Sequence, residues 1–280
     1  MEHSGSPMGG RHVAALSAYT MKSEETGQGD PLVLVPGGLT GWLSWKPHAE
    51  RLASAYRVIR VQLLAVDHGL SGDPLPADYS LETESHALAR ILDEVRITRA
   101  HFAGWSYGGE ALLDFALDYP ERVRSLTLIE PPAFWVLRSR GPLSPEALDF
   151  QERSRSFGPG TVSESQLAQF AHFAGFVPRD AVPQDMPQWP LWSQHRQSLR
   201  TGDVAFRHDD RVERVRTFSR PVLLFKGQGS PDYLREIVDV LGEEFPQARV
   251  EKLPGAHALH IVSMPAFMRI FTAFLQASPL

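Results

Sequence analysis

The chain has 280 residues, 42% of them hydrophobic and 22% charged, which is enough to bury one large core. A formal net charge of -5, with Lys and Arg scattered rather than clustered, argues against a nucleic-acid partner, and the absence of cysteine excludes disulfides, thiolate nucleophiles and Cys-ligated metals. No run is long and apolar enough to cross a bilayer and Met1 to Pro7 hold no signal-peptide core, so a cytoplasmic chain with no membrane partner is expected.

Residues 1–11 are small and polar and are expected to be disordered, and His12 to Tyr19 could form a first strand. The continuous apolar run Pro31 to Val35 reads as a strand covered on both faces. It ends in Pro36-Gly37-Gly38-Leu39-Thr40-Gly41, a loop where bare backbone can approach a ligand. A helix over Pro47 to Ala55 and a strand over Tyr56 to Val61 follow, then a loop rich in Asp, Gly and Pro from Asp67 to Asp78. Ser80 opens a helix to Val95, with Glu82 and Glu84 in its first turns.

A short buried strand beginning at Ala100 then turns through Gly104-Trp105-Ser106-Tyr107-Gly108-Gly109 into a helical pattern of Ala111, Leu112, Leu113, Phe115 and Ala116. A G-x-S-x-G turn between strand and helix holds its serine on a strained bend, exposed at the strand end and facing free N–H groups of the helix. Ser106 is the candidate nucleophile. A further strand over Ser125 to Ile129 stops at Glu130-Pro131-Pro132, since consecutive prolines cannot continue a ladder, and so Glu130 is placed at a strand tip.

Between Ala133 and Arg211 the strand rhythm is lost. Leu143 to Phe157, Ser163 to Phe173 and Trp189 to Leu199 read as helices, and the segment supplies Phe134, Trp135, Phe170, Phe173, Phe176, Trp189, Trp192 and His195. Trp135, Trp189 and Trp192 are the expected substrate-binding residues, and the aromatics as a group suit a bulky apolar or aromatic acyl compound. Strands at Pro221 to Phe225 and Ala248 to Leu253 and helices at Tyr233 to Phe245 and Pro265 to Leu275 complete an alternation that implies an α/β fold, a mostly parallel doubly wound sheet. His68, His86, His101, His172, His195 and His208 form no metal-ligand pattern, so neither metal nor cofactor is expected.

The loop Pro36-Gly37-Gly38, the turn Gly104 to Gly109, and Pro254-Gly255-Ala256-His257 before the last helix together resemble the α/β-hydrolase superfamily. The resemblance implies a core domain over 12–132 and 212–280, a helical cap over 133–211, and a Ser-acid-His hydrolase with His257 as general base. It also implies an oxyanion hole from the backbone N–H groups of Tyr107 and Gly38. The family usually places its acid near Ser230, where this chain has no carboxylate; Asp232 lies two residues on, where it could cap a helix instead. Some members take the acid from the preceding strand tip, and Glu130 is preferred here because a braced strand-tip carboxylate can accept the histidine's second N–H. The chain departs from the family at Pro36, which has no N–H to donate, and at Gln62-Leu63-Leu64. The activity implied is cleavage of a small-molecule ester or lactone, with carbon–carbon bond hydrolysis of a diketone or dienoic acid, or a slow-turnover ligand receptor, as alternatives.

Overall fold

The computed structural model describes residues 19–158 and 160–278; the N-terminal stretch expected to be disordered lies outside these residues, as does the strand expected over His12 to Tyr19, apart from Tyr19. The first strand described is β1 (Lys22–Thr26), whose sequence KSEET carries charge along an antiparallel edge. The other strands are β2 (Asp30–Val35), β3 (Tyr56–Gln62), β4 (Ala100–Trp105), β5 (Val123–Ile129), β6 (Val222–Gly227) and β7 (Ala248–Leu253). They form a seven-stranded sheet in the order β1-β3-β2-β4-β5-β6-β7, and every pairing except that of β1 is parallel. All residues of β4 and β5 are buried, as their unbroken apolar runs require of strands covered on both faces.

Alternation along β2 divides the core. Val33 and Val35 face one apolar cluster, which includes Leu88, Leu112, Phe115 and Ile237, while Leu32 and Leu34 face another, which includes Trp45, Phe267 and Phe271. The helices supplying these layers are α1 (Lys46–Leu52), α2 (Leu64–Ser71), α3 (Leu81–Glu94) and α4 (Ser106–Asp118) before β5. Helix α3 opens on a capping box of Ser80 with Thr83. Helix α2 is not among the expected elements: it starts at Leu64, in the Gln62-Leu63-Leu64 stretch, and runs into the expected loop at Asp67. Its cap residue, Leu63, offers no side-chain acceptor; instead the buried Glu84 of α3 accepts from Leu64 N and Ala65 N, both at 2.9 Å.

Between β5 and β6 lie α5 (Phe134–Arg138), α6 (Pro145–Arg155), α7 (Glu164–Phe173), α8 (Trp189–His195), α9 (Val204–Arg207) and α10 (Val212–Thr217). After β6 come α11 (Asp232–Glu244), α12 (Leu259–Val262) and α13 (Met264–Gln276). The segment between β5 and β6 has its own apolar cluster, built on Phe157, Leu167, Val177 and Trp192 together with Leu39 of the loop after β2.

The first turn of α4 passes so close to that loop that a Cβ on Gly108 would lie 2.0 Å from the Pro36 carbonyl oxygen. Backbone cannot yield as a side chain does. Gly108→Ala is therefore expected to cost about 1–3 kcal/mol of stability, as overpacking does, and to lower the urea midpoint; an unchanged midpoint would mean that the loop and helix separate freely.

Candidate active site

Strands β4 and β5 run in parallel register with Trp105 opposite Ile129, so the next residues, Ser106 and Glu130, are neighbours at adjacent strand tips. Both bend sharply. Ser106 has φ +53° and Glu130 φ +45°, in the left-handed region that side chains avoid at a cost of about 1–3 kcal/mol each, strain that concentrates at functional sites. In Ser106 the bend starts α4 at once and lifts the side chain out of the sheet.

Glu130 is fully buried, and each of its oxygens has a partner. Gly227 N donates to Oε1 at 2.6 Å from the tip of β6, and Oε2 lies 2.9 Å from His257 Nδ1. On the other side of the imidazole, Nε2 lies 2.7 Å from Ser106 Oγ. With the carboxylate accepting from Nδ1–H, Nε2 keeps its lone pair for the serine proton. The histidine's own peptide is fixed at both ends: its N–H donates to Gly175 O at 3.3 Å and its carbonyl accepts from Trp105 Nε1 at 2.8 Å.

The structure does not bring Asp232 to this cluster. It begins α11, pairs with Arg235, and its N–H donates to Glu146 Oε2 at 3.1 Å. His260, the other histidine of the loop, lies behind the site, its ring 4.5 Å from Trp105 and 5.4 Å from His48. Burial holds it well below the ordinary imidazole value, and the nearby His48 and His257 reinforce this. His48 itself is pulled down to about 4, chiefly by burial.

Ser106 and His257 open into a cavity of about 80 Å³, whose lining also includes Gly38, Leu39, Tyr107 and Phe176. A Cβ on Gly38 would lie 3.9 Å from that of Tyr107, so the loop after β2 and the start of α4 are neighbours here. Tyr107 is the second residue of α4, where an N–H has no partner within the helix. Its hydroxyl meets that of Tyr79 at 3.0 Å, and Tyr79 donates to Glu84 Oε1 at 2.6 Å. Burial, then the charge of Glu84, pushes the Tyr107 phenol well above its usual value.

None of the three tryptophans expected to bind substrate lines this cavity. Trp135 is 2% exposed and packs in the core beneath α5; Trp192 stands behind Phe176 with ring centroids 5.7 Å apart; Trp189 packs in the helical segment's own cluster. Composition marked the segment as aromatic but could not say which rings face inward. Leu39, Phe150, Ser154, Phe157, Phe206 and Tyr233 do line the cavity, and no periodic or motif signal distinguished them from core residues. Among the described residues, no group of three or more His, Cys, Asp or Glu side chains could hold a metal ion, and no helix is long and apolar enough to cross a membrane.

Residues 30–263 match the family model of the alpha/beta hydrolase fold. A stretch of 127 residues is 34% identical to a 2-hydroxymuconate semialdehyde hydrolase of a Pseudomonas species, covering 44% of this chain and 44% of that protein. Another comparison gives 36% identity over 129 residues to a pimeloyl-acyl-carrier-protein methyl ester esterase of Aeromonas hydrophila, 45% of this chain and 47% of that one. The match thus spans less than half the length of either relative. Among solved structures, a hydrolase from Pseudomonas aeruginosa superposes with a TM-score of 0.75 at 22% identity, over 91% of this chain and 94% of that chain, and shares its fold.

The buried histidines behind the site carry a pH signature. His48 binds a proton near pH 6.5 when unfolded but only near 4 when folded, so its contribution is intact above 6.5 and is lost as pH falls through this window. Each such group adds about 1.4 kcal/mol per pH unit to the slope of unfolding free energy. Urea midpoints measured from pH 7 to 4 should fall along this slope, and His48→Gln should make the fall shallower; parallel curves would show that His48 titrates normally in the fold.

Proposed function

Because the chain belongs to the α/β-hydrolase fold family, we propose that it is a serine hydrolase cleaving a carboxylic ester or lactone through an acyl-enzyme, with side chains and backbone amides alone carrying the reaction. The observation that carries this reading is the unbroken line from Ser106 Oγ through both nitrogens of His257 to the Glu130 carboxylate.

In the proposed reaction His257 Nε2 takes the serine proton as Oγ attacks the carbonyl carbon. The Tyr107 and Gly38 N–H groups receive the negative oxygen that forms, a contribution worth roughly a hundred- to a thousandfold per donor in comparable sites. His257 then hands its proton to the leaving alcohol, and the same residues repeat the sequence with water to release the acid. Glu130 holds the Nδ1–H tautomer and offsets the imidazolium charge. The helical segment between β5 and β6 acts as a cap that closes the site.

The character of the cavity favours a neutral substrate. Its lining includes no Lys or Arg, and a carboxylate placed in so apolar a space without a partner is strongly disfavoured. A dienoic acid brings such a group and an ester or lactone does not. Carbon–carbon bond hydrolysis is kept as a second reading because the 34% identical relative is a 2-hydroxymuconate semialdehyde hydrolase.

The test is a panel of esters, lactones and dienoic diketones, run beside fluorophosphonate labelling at Ser106. Ester or lactone turnover is expected and should vanish in Ser106→Ala. Glu130→Gln should lose roughly 10³–10⁴-fold in kcat, while Asp232→Asn stays near wild type. Turnover confined to the diketones would select the second reading, and labelling without turnover on any compound would point to a ligand receptor.

A further inference from the structure

The cavity at Ser106 is small. Its volume of about 80 Å³ has room for roughly five to eight water-sized groups, below the usual range for a small-molecule pocket. Next to it lies a cleft of about 930 Å³ between α6, α7 and the loop before α11, reaching the histidine loop at Gly255 and Ala256. The two spaces share Phe150, Phe176 and Tyr233 as lining, so these three rings form the boundary between them.

Phe176 is the part of that wall nearest the chemistry. Its ring meets the His257 imidazole edge to face, with centroids 5.1 Å apart at 89°, and touches Trp105 and Trp192 at 5.7 Å each. It follows Gly175, whose φ of +77° ends the turn after α7 and whose carbonyl accepts from His257 N. Phe150 and Tyr233 stack on each other with centroids 5.1 Å apart, closing the rest. The two sides differ in character. The inner lining is apolar apart from hydroxyls such as Ser154, Ser198 and Thr201, whereas the outer cleft carries Arg153 paired with Asp149 and Arg179 paired with Glu146.

We propose that Phe176 is a specificity-determining residue that splits the substrate between an inner acyl subsite and the outer cleft, which takes the leaving alcohol. The assignment of sides follows from the proton: the leaving oxygen must receive it from His257, whose ring packs on Phe176 and whose loop reaches the cleft at Gly255 and Ala256, which leaves the acyl group the closed side. The substrates so defined are esters of a short apolar acid with a large, polar-tolerant alcohol. This rests on the hydrolase reading above and narrows it, because bulk is accepted on the alcohol rather than on the acid.

The experiment is kcat/KM for 4-nitrophenyl esters from acetate to decanoate, measured with the wild-type protein, Phe176→Ala and Phe176→Leu. Wild type should fall at least tenfold between butanoate and octanoate. Opening the wall in Phe176→Ala should raise the octanoate-to-acetate ratio tenfold or more, with Phe176→Leu, which keeps apolar contact with Trp105, in between. A wild type that already prefers octanoate, or a ratio equal in all soluble proteins, overturns the partition while leaving the hydrolase reading intact. Fluorophosphonate labelling of Ser106 without hydrolysis of any ester by wild type overturns both.

Discussion

The site depends on the register of two parallel strands. Because Trp105 of β4 stands opposite Ile129 of β5, the residue that follows each is delivered to the same edge of the sheet, one strand apart. A slip in that pairing would separate Ser106 from Glu130 however favourable each side chain's own surroundings were. Register is fixed in turn by burial: both strands are covered on both faces, so the sheet cannot shift without moving Leu112 and Phe115 on one side or Phe267 and Phe271 on the other. The two strained φ angles at the strand tips are tolerated because that core holds the backbone on either side of them.

The third member comes from far along the chain and is held by different means. The peptide of His257 spans two layers, its N–H bound to Gly175 of the helical segment and its carbonyl to the Trp105 indole immediately before the proposed nucleophile. The helical segment between β5 and β6 therefore does more than line the cavity. Its Gly175 carbonyl helps hold the loop that carries the imidazole, and Phe176, the next residue after Gly175, meets that ring edge to face.

Much of this arrangement was legible in the sequence, and the parts that were not share a cause. Long apolar runs and the G-x-S-x-G turn identify β2, β4, β5 and the start of α4, since strand burial and a glycine-lined bend leave local marks. Glu130 could be singled out because Pro131 and Pro132 must end its strand. Helix α2 was missed because its cap is Glu84, a residue of α3 that no local pattern connects to Leu63. The tryptophans fall outside the cavity lining for a similar reason: a helix presents several faces, and which one looks into the cavity is decided by tertiary packing. Phe150, Phe206 and Tyr233 instead bring their rings together at the cavity wall from three different helices.

Glu84 shows how such distant constraints converge on the chemistry. Burial raises its pKa, yet two backbone N–H groups and the Tyr79 hydroxyl all donate to its oxygens and oppose that rise. Tyr79, having spent its proton on Glu84, can only accept from Tyr107, so the hydrogen bonds run in one direction from the cavity wall to the start of α2. That direction orients the Tyr107 side chain, and with it the peptide beside Gly38. A buried acid in α3 thus steadies the part of the cavity lining that Tyr107 supplies, much as Trp105 and Gly175 steady the histidine itself.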